Sequence, residues 1–181
     1  MSELRIYPDS QPETVELVSD HAAISERLQA VGVLFERWEA QQPLSDTATP
    51  DDVMAAYQAD IDRLMNAYGF QSVDVISMYP EHPDKAALRD KFLHEHTHSE
   101  YEVRFFVAGQ GLFSLHIDGQ VYGVLCEQGD LISVPAGVTH WFDMGPNPTF
   151  KAIRLFSTPE GWVANFTGND IANHFPRLEA V

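Results

Sequence analysis

Hydrophobic residues in the first part of the chain recur at the three- and four-residue spacing of amphipathic helices. The segment from Asp20 to Ala30 follows this spacing, and Gly32 stands where the helix would end. A short strand is predicted to follow over residues 33–38. The apolar positions that define the first helix and its end are Ile24, Leu28 and Val31.

A longer helix is predicted from Thr49 to Tyr68, and Gly69 would end it. Thr49 is a suitable N-cap, and the proline after it fits the first turn. Asp51 and Asp52 then lie at the positive end of the helix dipole. The hydrophobic positions form one stripe, which indicates packing against a core: Val53, Ala56, Tyr57, Ile61, Leu64, Met65 and Tyr68.

Further along the chain, the pattern changes from helical spacing to short strands. A strand is predicted over residues 73–79 and a short helix from Asp84 to Phe92. From Glu102 to Phe156, runs rich in Val, Ile, Phe and Leu are separated by predicted glycine turns, such as Gly109-Gln110-Gly111. Asp118-Gly119 predicts a two-residue hairpin. We therefore expect a mainly β fold with an α-helical N-terminal part, in which the strands form an antiparallel sandwich or barrel.

No repeat, low-complexity tract or Gly/Ser/Pro-rich linker divides the sequence, so a single domain over residues 1–181 is expected. Residues 1–92 would supply helices and strands that pack on a β core. Residues 93–157 would form that core and carry the candidate metal ligands. Residues 158–181 show little periodicity and predict an irregular tail that wraps or covers the core.

The composition is globular, with 44% hydrophobic and 21% charged residues. Eleven Lys and Arg against 27 Asp and Glu give a formal net charge of −16, which repels nucleic acids and anionic membranes. The same charge favours a monomer. The sequence has no apolar run of membrane-spanning length and begins without a signal-peptide pattern, so we expect a cytoplasmic protein. The one cysteine, Cys126, excludes an intramolecular disulfide and is expected to pack in a strand.

Side chains that can bind a metal cluster before the first long strand. His96, His98 and Glu102 lie close together, and His140 follows 38 residues beyond Glu102. Three imidazoles and a carboxylate form a mixed nitrogen and oxygen donor set that suits Fe, Ni, Mn, Co or Zn. By spacing alone, three neighbours remain alternative ligands: His94, Glu95 and Glu100.

The chain must bend if these ligands are to meet. On one straight strand the Cα atoms of His98 and Glu102 would lie about 13 Å apart, which is too far for a shared ion. A helix would bring these two together but would turn His96 away, and residues 101–107 favour a strand. We therefore predict a turn at Ser99-Glu100, with Glu102 on the strand that follows.

Two motifs around these residues resemble those of the cupin superfamily, in which they surround a metal. The first consists of His96-Thr97-His98, Glu102 and Gly109, and the second of Gly129, Pro135-Ala136-Gly137 and His140. Two frequent motif residues are replaced, a glycine by Asp90 and an asparagine by Met144, and neither is a ligand. The resemblance implies a jelly-roll-like antiparallel β-barrel of cupin type, flanked by helices.

Three segments, 91–106, 140–143 and 154–156, resemble the acireductone dioxygenase family of methionine salvage. The resemblance implies one Fe(II) or Ni(II) per chain, bound by His96, His98, Glu102 and His140. It also implies that O2 cleaves the acireductone 1,2-dihydroxy-3-keto-5-methylthiopentene. With iron, the products in the family are formate and 4-methylthio-2-oxobutanoate. With nickel, they are formate, CO and 3-methylthiopropanoate.

Arg104 follows Glu102 by two residues on the predicted strand, so both side chains face the same side. We assign it a catalytic role, in which its fixed positive charge stabilises the second negative charge of the bound substrate. The candidate substrate-binding residues are three aromatic ones for the methylthio tail and an arginine: Phe92, Phe142, Trp162 and Arg154. Candidates for orienting the ligands or guiding metal entry are Glu95, Glu100 and Tyr101, although the two glutamates are more simply interpreted as solvated carboxylates.

Other function classes fit the sequence less well. A cupin isomerase acting on a sugar phosphate would need several Lys or Arg, and the second half supplies few. A cupin sensor would need an output domain, for which the chain has little length. Another cupin metal-dependent dioxygenase, acting on a flavonol or a thiol, is the nearest alternative.

Overall fold

The computed structural model describes residues 1–178, and these contain eleven strands and five helices. The helices are α1 (His21–Gln29), α2 (Pro50–Ala56), α3 (Gln58–Tyr68), α4 (Lys85–Leu93) and a 3-10 helix (Ile171–His174). The strands are β1 (Glu3–Pro8), β2 (Glu16–Val18), β3 (Phe35–Arg37), β4 (Ser72–Met78), β5 (His96–Thr97), β6 (Glu102–Ile117), β7 (Gln120–Glu127), β8 (Asp130–Val134), β9 (Thr139–Asp143), β10 (Phe150–Phe156) and β11 (Asn165–Phe166). The mainly β class with an α-helical N-terminal part is confirmed.

Helix α1 begins and ends close to the predicted residues, with Asp20 as its N-cap. The single helix predicted over residues 49–68 is wrong, because Tyr57 interrupts it with φ −113° and ψ 22°. The Tyr57 ring is buried edge-on against Phe105, and its hydroxyl accepts a hydrogen bond from the backbone nitrogen of Gln42. These tertiary contacts coincide with the break between α2 and α3, and no proline or glycine marks that break in the sequence.

Strand β6 is the longest element and organises the sheet. Residues 102–109 pair with β10, and the first four of them also pair with β8. Residues 110–117 pair with β7, and residues 112–116 also pair with β9. The turn predicted at Gly109-Gln110-Gly111 is therefore wrong, because the chain continues as a strand while its neighbours change there. The Asp118-Gly119 hairpin is confirmed, with φ 50° and 78° in the tight turn between β6 and β7.

All eleven strands join one antiparallel sheet, whose longest path runs β11-β5-β9-β6-β7-β1-β2. Strand β10 connects β4 to β6, and β8 connects β3 to β6. Through residue 178 this path is open, so the predicted barrel is not closed by strand pairing. No helix in this part of the chain is long and apolar enough to cross a membrane.

Three buried clusters hold the sheet and helices together. The largest takes side chains from α1 and most of the strands, including Phe106, Phe142 and Cys126, which is fully buried as predicted. The second packs α2 and α3 on β4, β6 and β10. The third fixes the 3-10 helix, since Ala172 and Phe175 pack there with Trp141 and other residues of the sheet.

The segment after β10 is more regular than predicted. Strand β11 pairs with β5, so that Phe166 stands opposite His96. The expectation that residues 158–181 wrap or cover the core stays a prediction, and positions 179–181 of this tail lie outside the described residues. The single domain over residues 1–181 stays a prediction.

Gly109 offers a test of how β6 passes between its two sets of partners. It has φ 67°, and an added Cβ would lie 1.8 Å from the carbonyl oxygen of Thr149. We expect Gly109→Ala to lower the free energy of unfolding by about 3 kcal/mol or more, from backbone strain plus overpacking. Urea denaturation of metal-free protein measures this.

Gly119→Ala is the matched control, because Gly119 has φ 78° but nothing within 4 Å of the added Cβ. It should lower the same free energy by about 1–2 kcal/mol, from backbone strain alone. If both variants lowered the free energy of unfolding by the same amount, the close approach of Thr149 to β6 would have no effect on the cost of a side chain at position 109.

Candidate metal centre

Three neighbouring backbone segments bring the predicted ligands together. His96 lies on β5 directly opposite His140 on β9, and β9 pairs in turn with β6. The chain bends at Ser99-Glu100, as predicted, before Glu102 begins β6. One nitrogen from each of His96, His98 and His140 lies within 4.8 Å of the other two. All four predicted ligands are buried, and Glu102 and His140 are completely so.

Backbone carbonyls determine which nitrogen of each imidazole faces the centre. Every Nδ1 lies within hydrogen-bond distance of a carbonyl oxygen, and since a carbonyl only accepts, Nδ1 carries the proton. The distance from Nδ1 to the carbonyl oxygen is 2.8 Å for His96 and His94. It is 3.0 Å for His98 and Val163, and 2.8 Å for His140 and Val138. Each neutral ring therefore presents the lone pair of Nε2, the arrangement found in histidines that bind metals.

The electrostatic environment keeps the three imidazoles neutral. Burial lowers the pKa of His96 to about 4, and the hydrogen bond to the His94 carbonyl opposes this effect only in part. Burial also lowers the pKa of His98, and it lowers that of His140 well below its ordinary value. At neutral pH the three Nε2 atoms are thus free of protons and able to bind a cation.

Glu102 is ionised although it is completely buried. Burial by itself raises the pKa of its carboxyl group, but the positive charge of Arg104 and smaller contributions from nearby groups outweigh this effect. The pKa of Glu102 is lowered to about 2. The Arg104 Nε donates a hydrogen bond to Oε1 of Glu102 at 2.6 Å, so only one carboxylate oxygen is used by this pair.

The atoms left without partners fit a bound cation. Among the buried atoms with no hydrogen-bond partner are Oε2 of Glu102 and the Nε2 atoms of His98 and His140. Oε2 of Glu102 lies 3.3 Å from Nε2 of His98, so a carboxylate oxygen faces a nitrogen lone pair. Two buried acceptors at this distance are unfavourable unless a positive charge lies between them or beside them. The donor set is therefore suited to a metal ion held by three imidazoles and one carboxylate.

A small cavity of about 40 Å³ lies beside this centre, and His96 and His98 form part of its lining. Three of the predicted substrate-binding residues line it: Phe92, Arg154 and Trp162. Phe142 does not line the cavity. It is fully buried, and its ring centroid lies 6.4 Å from that of Phe92. Phe142 therefore supports the cavity wall without lining the cavity.

The two predicted arginines occupy different positions. Arg104 is 1% exposed, lies over the rings of Phe113 and Phe142, and leaves its buried Nη2 without a partner. Arg154 lines the cavity and forms a two-point ion pair with Asp74 on β4, with N···O distances of 2.8 and 2.5 Å. Of these two arginines, Arg104 is the one that has an unpaired hydrogen-bond donor beside the centre.

The remaining candidates lie around the centre in less direct positions. Glu95 is not a solvated carboxylate: it is 3% exposed and accepts a hydrogen bond from the hydroxyl of Thr167 at 2.7 Å. Glu100 is half-buried in the bend. The Tyr101 ring stacks on Phe70 in the second cluster, so this side chain packs away from the ligands.

Sequence reasoning missed the contribution of the segment after β10. Val163 supplies the carbonyl that orients His98, and Ala164 and Phe166 line the cavity. No motif marks these residues, because a carbonyl acceptor can come from any residue type. The pairing of β11 with β5 is what places them, and nothing in the local pattern predicts that pairing.

Comparisons with known proteins agree with this geometry. Residues 3–164 match the model of the ARD/ARD′ family. The chain is 61% identical over 178 residues to the acireductone dioxygenase of Alcanivorax borkumensis, covering 98% of each chain. It is 58% identical over 181 residues to that of Aquifex aeolicus, covering 100% of this chain and 98% of the relative.

The fold also matches a solved structure. This is the acireductone dioxygenase from Bacillus anthracis with a cadmium ion in its active centre, which is 33% identical, with a TM-score of 0.79. The match covers 92% of this chain and 98% of that one, and it supports the expected cupin-type architecture. The family match, the identities over nearly the full length and this structural likeness agree: the chain belongs to the acireductone dioxygenase family.

Proposed function

We propose that this chain is a metal-dependent dioxygenase that cleaves 1,2-dihydroxy-3-keto-5-methylthiopentene with O2. The observation that carries the proposal is the buried group of three imidazoles and Glu102, whose unpartnered acceptor atoms suit a bound cation. Membership of the acireductone dioxygenase family supplies the substrate class.

In this proposal His96, His98, Glu102 and His140 hold one Fe(II) or Ni(II). Bound there, the ion would act as a Lewis acid and as a template for the two oxygens of the substrate's ene-diol. The protein fixes the orientation of the three imidazoles through their Nδ1 hydrogen bonds, and burial excludes competing water. The choice between iron and nickel decides between the two product sets.

Arg104 has the position to stabilise the anionic form of the substrate. Its Nε is occupied by Glu102, whereas Nη2 is buried and unpartnered and remains available to an anionic oxygen. The rings of Phe113 and Phe142 hold the guanidinium at 4.9 and 5.4 Å, so little reorganisation is needed when the substrate binds. A low-dielectric site strengthens this interaction relative to one in water.

The cavity wall explains how an apolar tail would be held. Phe92 and Trp162 line the cavity, and a thioether packs favourably against aromatic ring edges. Arg154 borders the same space, but its charge is balanced by Asp74. Phe92 is further supported from behind by Phe142. We therefore assign the methylthio group to the aromatic side of this cavity.

The reaction itself is tested directly under anaerobic conditions. Acireductone is mixed with iron-loaded or nickel-loaded protein, O2 is admitted, and the products are analysed. The iron form should give formate and 4-methylthio-2-oxobutanoate, and the nickel form should give formate, CO and 3-methylthiopropanoate. Substrate consumption no faster than in metal-free protein would refute the proposal.

Removal of a ligand should abolish metal binding and the stability it provides. We expect one metal ion per chain in the wild type and at most a small fraction of this in His98→Ala, measured by elemental analysis after gel filtration. Chelator should lower the melting temperature of the wild type by roughly 5–10 °C, because a ligand at ~100 times its Kd adds about 2.7 kcal/mol.

The same chelator should leave the melting temperature of His98→Ala nearly unchanged. His174→Ala is the control, since His174 is exposed and lies apart from the centre. Full metal content in His98→Ala would contradict the assignment of this ligand.

Replacing Arg104 should affect turnover and ionisation of the substrate more than it affects metal binding. We expect Arg104→Ala to reduce kcat/KM by about 10²–10³-fold per bound metal, because a buried donor to an anionic oxygen is lost. Anaerobic absorption spectra should also show less of the doubly ionised substrate. In Arg63→Ala, where an exposed guanidinium lies over Trp38, both quantities should stay unchanged. Unchanged ionisation and turnover in Arg104→Ala with metal fully bound would remove Arg104 from the mechanism.

A further inference from the structure

The cavity beside the metal centre, which we term the inner cavity, is too small for a substrate as it stands. Its volume is about 40 Å³, whereas small-molecule sites commonly occupy about 300–1,000 Å³. Its walls differ in rigidity. Phe92, His96 and His98 are buried in the body of the fold, whereas Trp162 and Phe166 are more than half exposed. Space for a substrate must therefore come from movement of the exposed wall.

A second cavity of about 400 Å³, the outer cavity, lies next to it. Its lining combines polar side chains with two apolar ones: His94, Glu95, Asn169, Asp170, Asn173, Phe166 and Ala172, together with Gly168. The volume lies within the usual range for a ligand site, and the polar groups suit a ligand that carries a hydrogen-bonding group. The activity as proposed above makes no use of this cavity.

Among residues 1–178, Phe166 alone lines both cavities. Its backbone is fixed by pairing with His96, and its ring contacts His96 and His94 at centroid distances of 5.7 and 6.5 Å. The residue is 52% exposed, so its ring is free of the close packing that holds Phe92. Exposed side chains change rotamer on the ps–ns timescale. A rotation of this ring is the simplest movement that would join the two cavities.

We propose that Phe166 is a specificity-determining residue, and that the outer cavity receives the tails of acireductones longer than the methylthio compound. The reacting end of such a substrate would stay at the metal centre, and its tail would pass the displaced Phe166 ring. The shorter methylthio tail would need movement only on the Trp162 side of the inner cavity, because Trp162 does not line the outer cavity. The surface of the outer cavity is mainly apolar with several polar groups, which favours an apolar tail that ends in a hydroxyl or amide group. This inference rests on the proposed function, because it assumes that acireductones bind at the metal centre.

The test compares two acireductones, the methylthio compound and an analogue with a hydroxybutylthio group in its place. Their Kd values are measured by anaerobic calorimetry on metal-loaded protein, so the readout does not depend on turnover. Phe166→Ala should tighten binding of the long analogue about tenfold relative to the short one, as expected if the ring leaves the path open about a tenth of the time. A ratio within twofold of the wild type would overturn the proposal.

A second variant tests the outer cavity without changing Phe166. Asn173→Trp places a large side chain at an exposed position of the cavity lining. It should weaken binding of the long analogue about tenfold, as expected for the loss of about two buried methylene groups, and leave the short compound within twofold. His174→Trp is the matched control, because His174 is the exposed neighbour that does not line this cavity. It should leave both Kd values within twofold.

The outcomes separate this inference from the proposed function. Equal weakening of both compounds by Asn173→Trp, or equal effects of Asn173→Trp and His174→Trp, would overturn the tail site while acireductone binding still stands. Failure of the wild type to bind either compound would overturn the proposed function and this inference together.

Discussion

The completely buried carboxylate of Glu102 must be balanced by positive charge, and much of the surrounding structure serves that requirement. One oxygen is balanced by Arg104, which is itself buried against two aromatic rings. The other oxygen faces a lone pair of His98 and has no hydrogen-bond partner. An isolated ionised carboxylate is strongly unfavourable in such an interior. A cation beside the unpartnered oxygen and the His98 nitrogen would satisfy both acceptors, so a metal ion bound there would also stabilise the fold.

The long strand β6 connects this charge balance to the fold. It carries Glu102 and Arg104 in its first half and pairs with β7 and β9 in its second, so β9 brings His140 to the same centre. The change of partners occurs around Gly109, where the backbone approaches Thr149 too closely for a side chain. A single continuous strand thus connects candidate ligands from separate parts of the chain.

The segment after β10 contributes to the candidate site. Val163 orients His98, Thr167 bonds the buried Glu95, and Phe166 stands between the inner and outer cavities. Its far end is fixed by Phe175 in the third cluster. The part of this segment that lines the cavities is exposed, whereas its ends are anchored. If longer substrates bind as proposed, this wall would move while the candidate metal ligands remain in place.

The sequence by itself predicted the class of fold and the side chains that the structure brings together as candidate metal ligands, because ligand chemistry and strand parity depend on residue type and short spacing. It placed Arg104 on the inner side of β6 for the same reason. Tertiary structure alone decided the helix break at Tyr57, the continuation of β6 through Gly109, and the burial of Glu95. It also decided that Phe142 lies behind the cavity and Phe166 at its edge. These features arise from contacts between segments distant in the sequence, and local patterns of hydrophobic and polar residues do not encode such contacts.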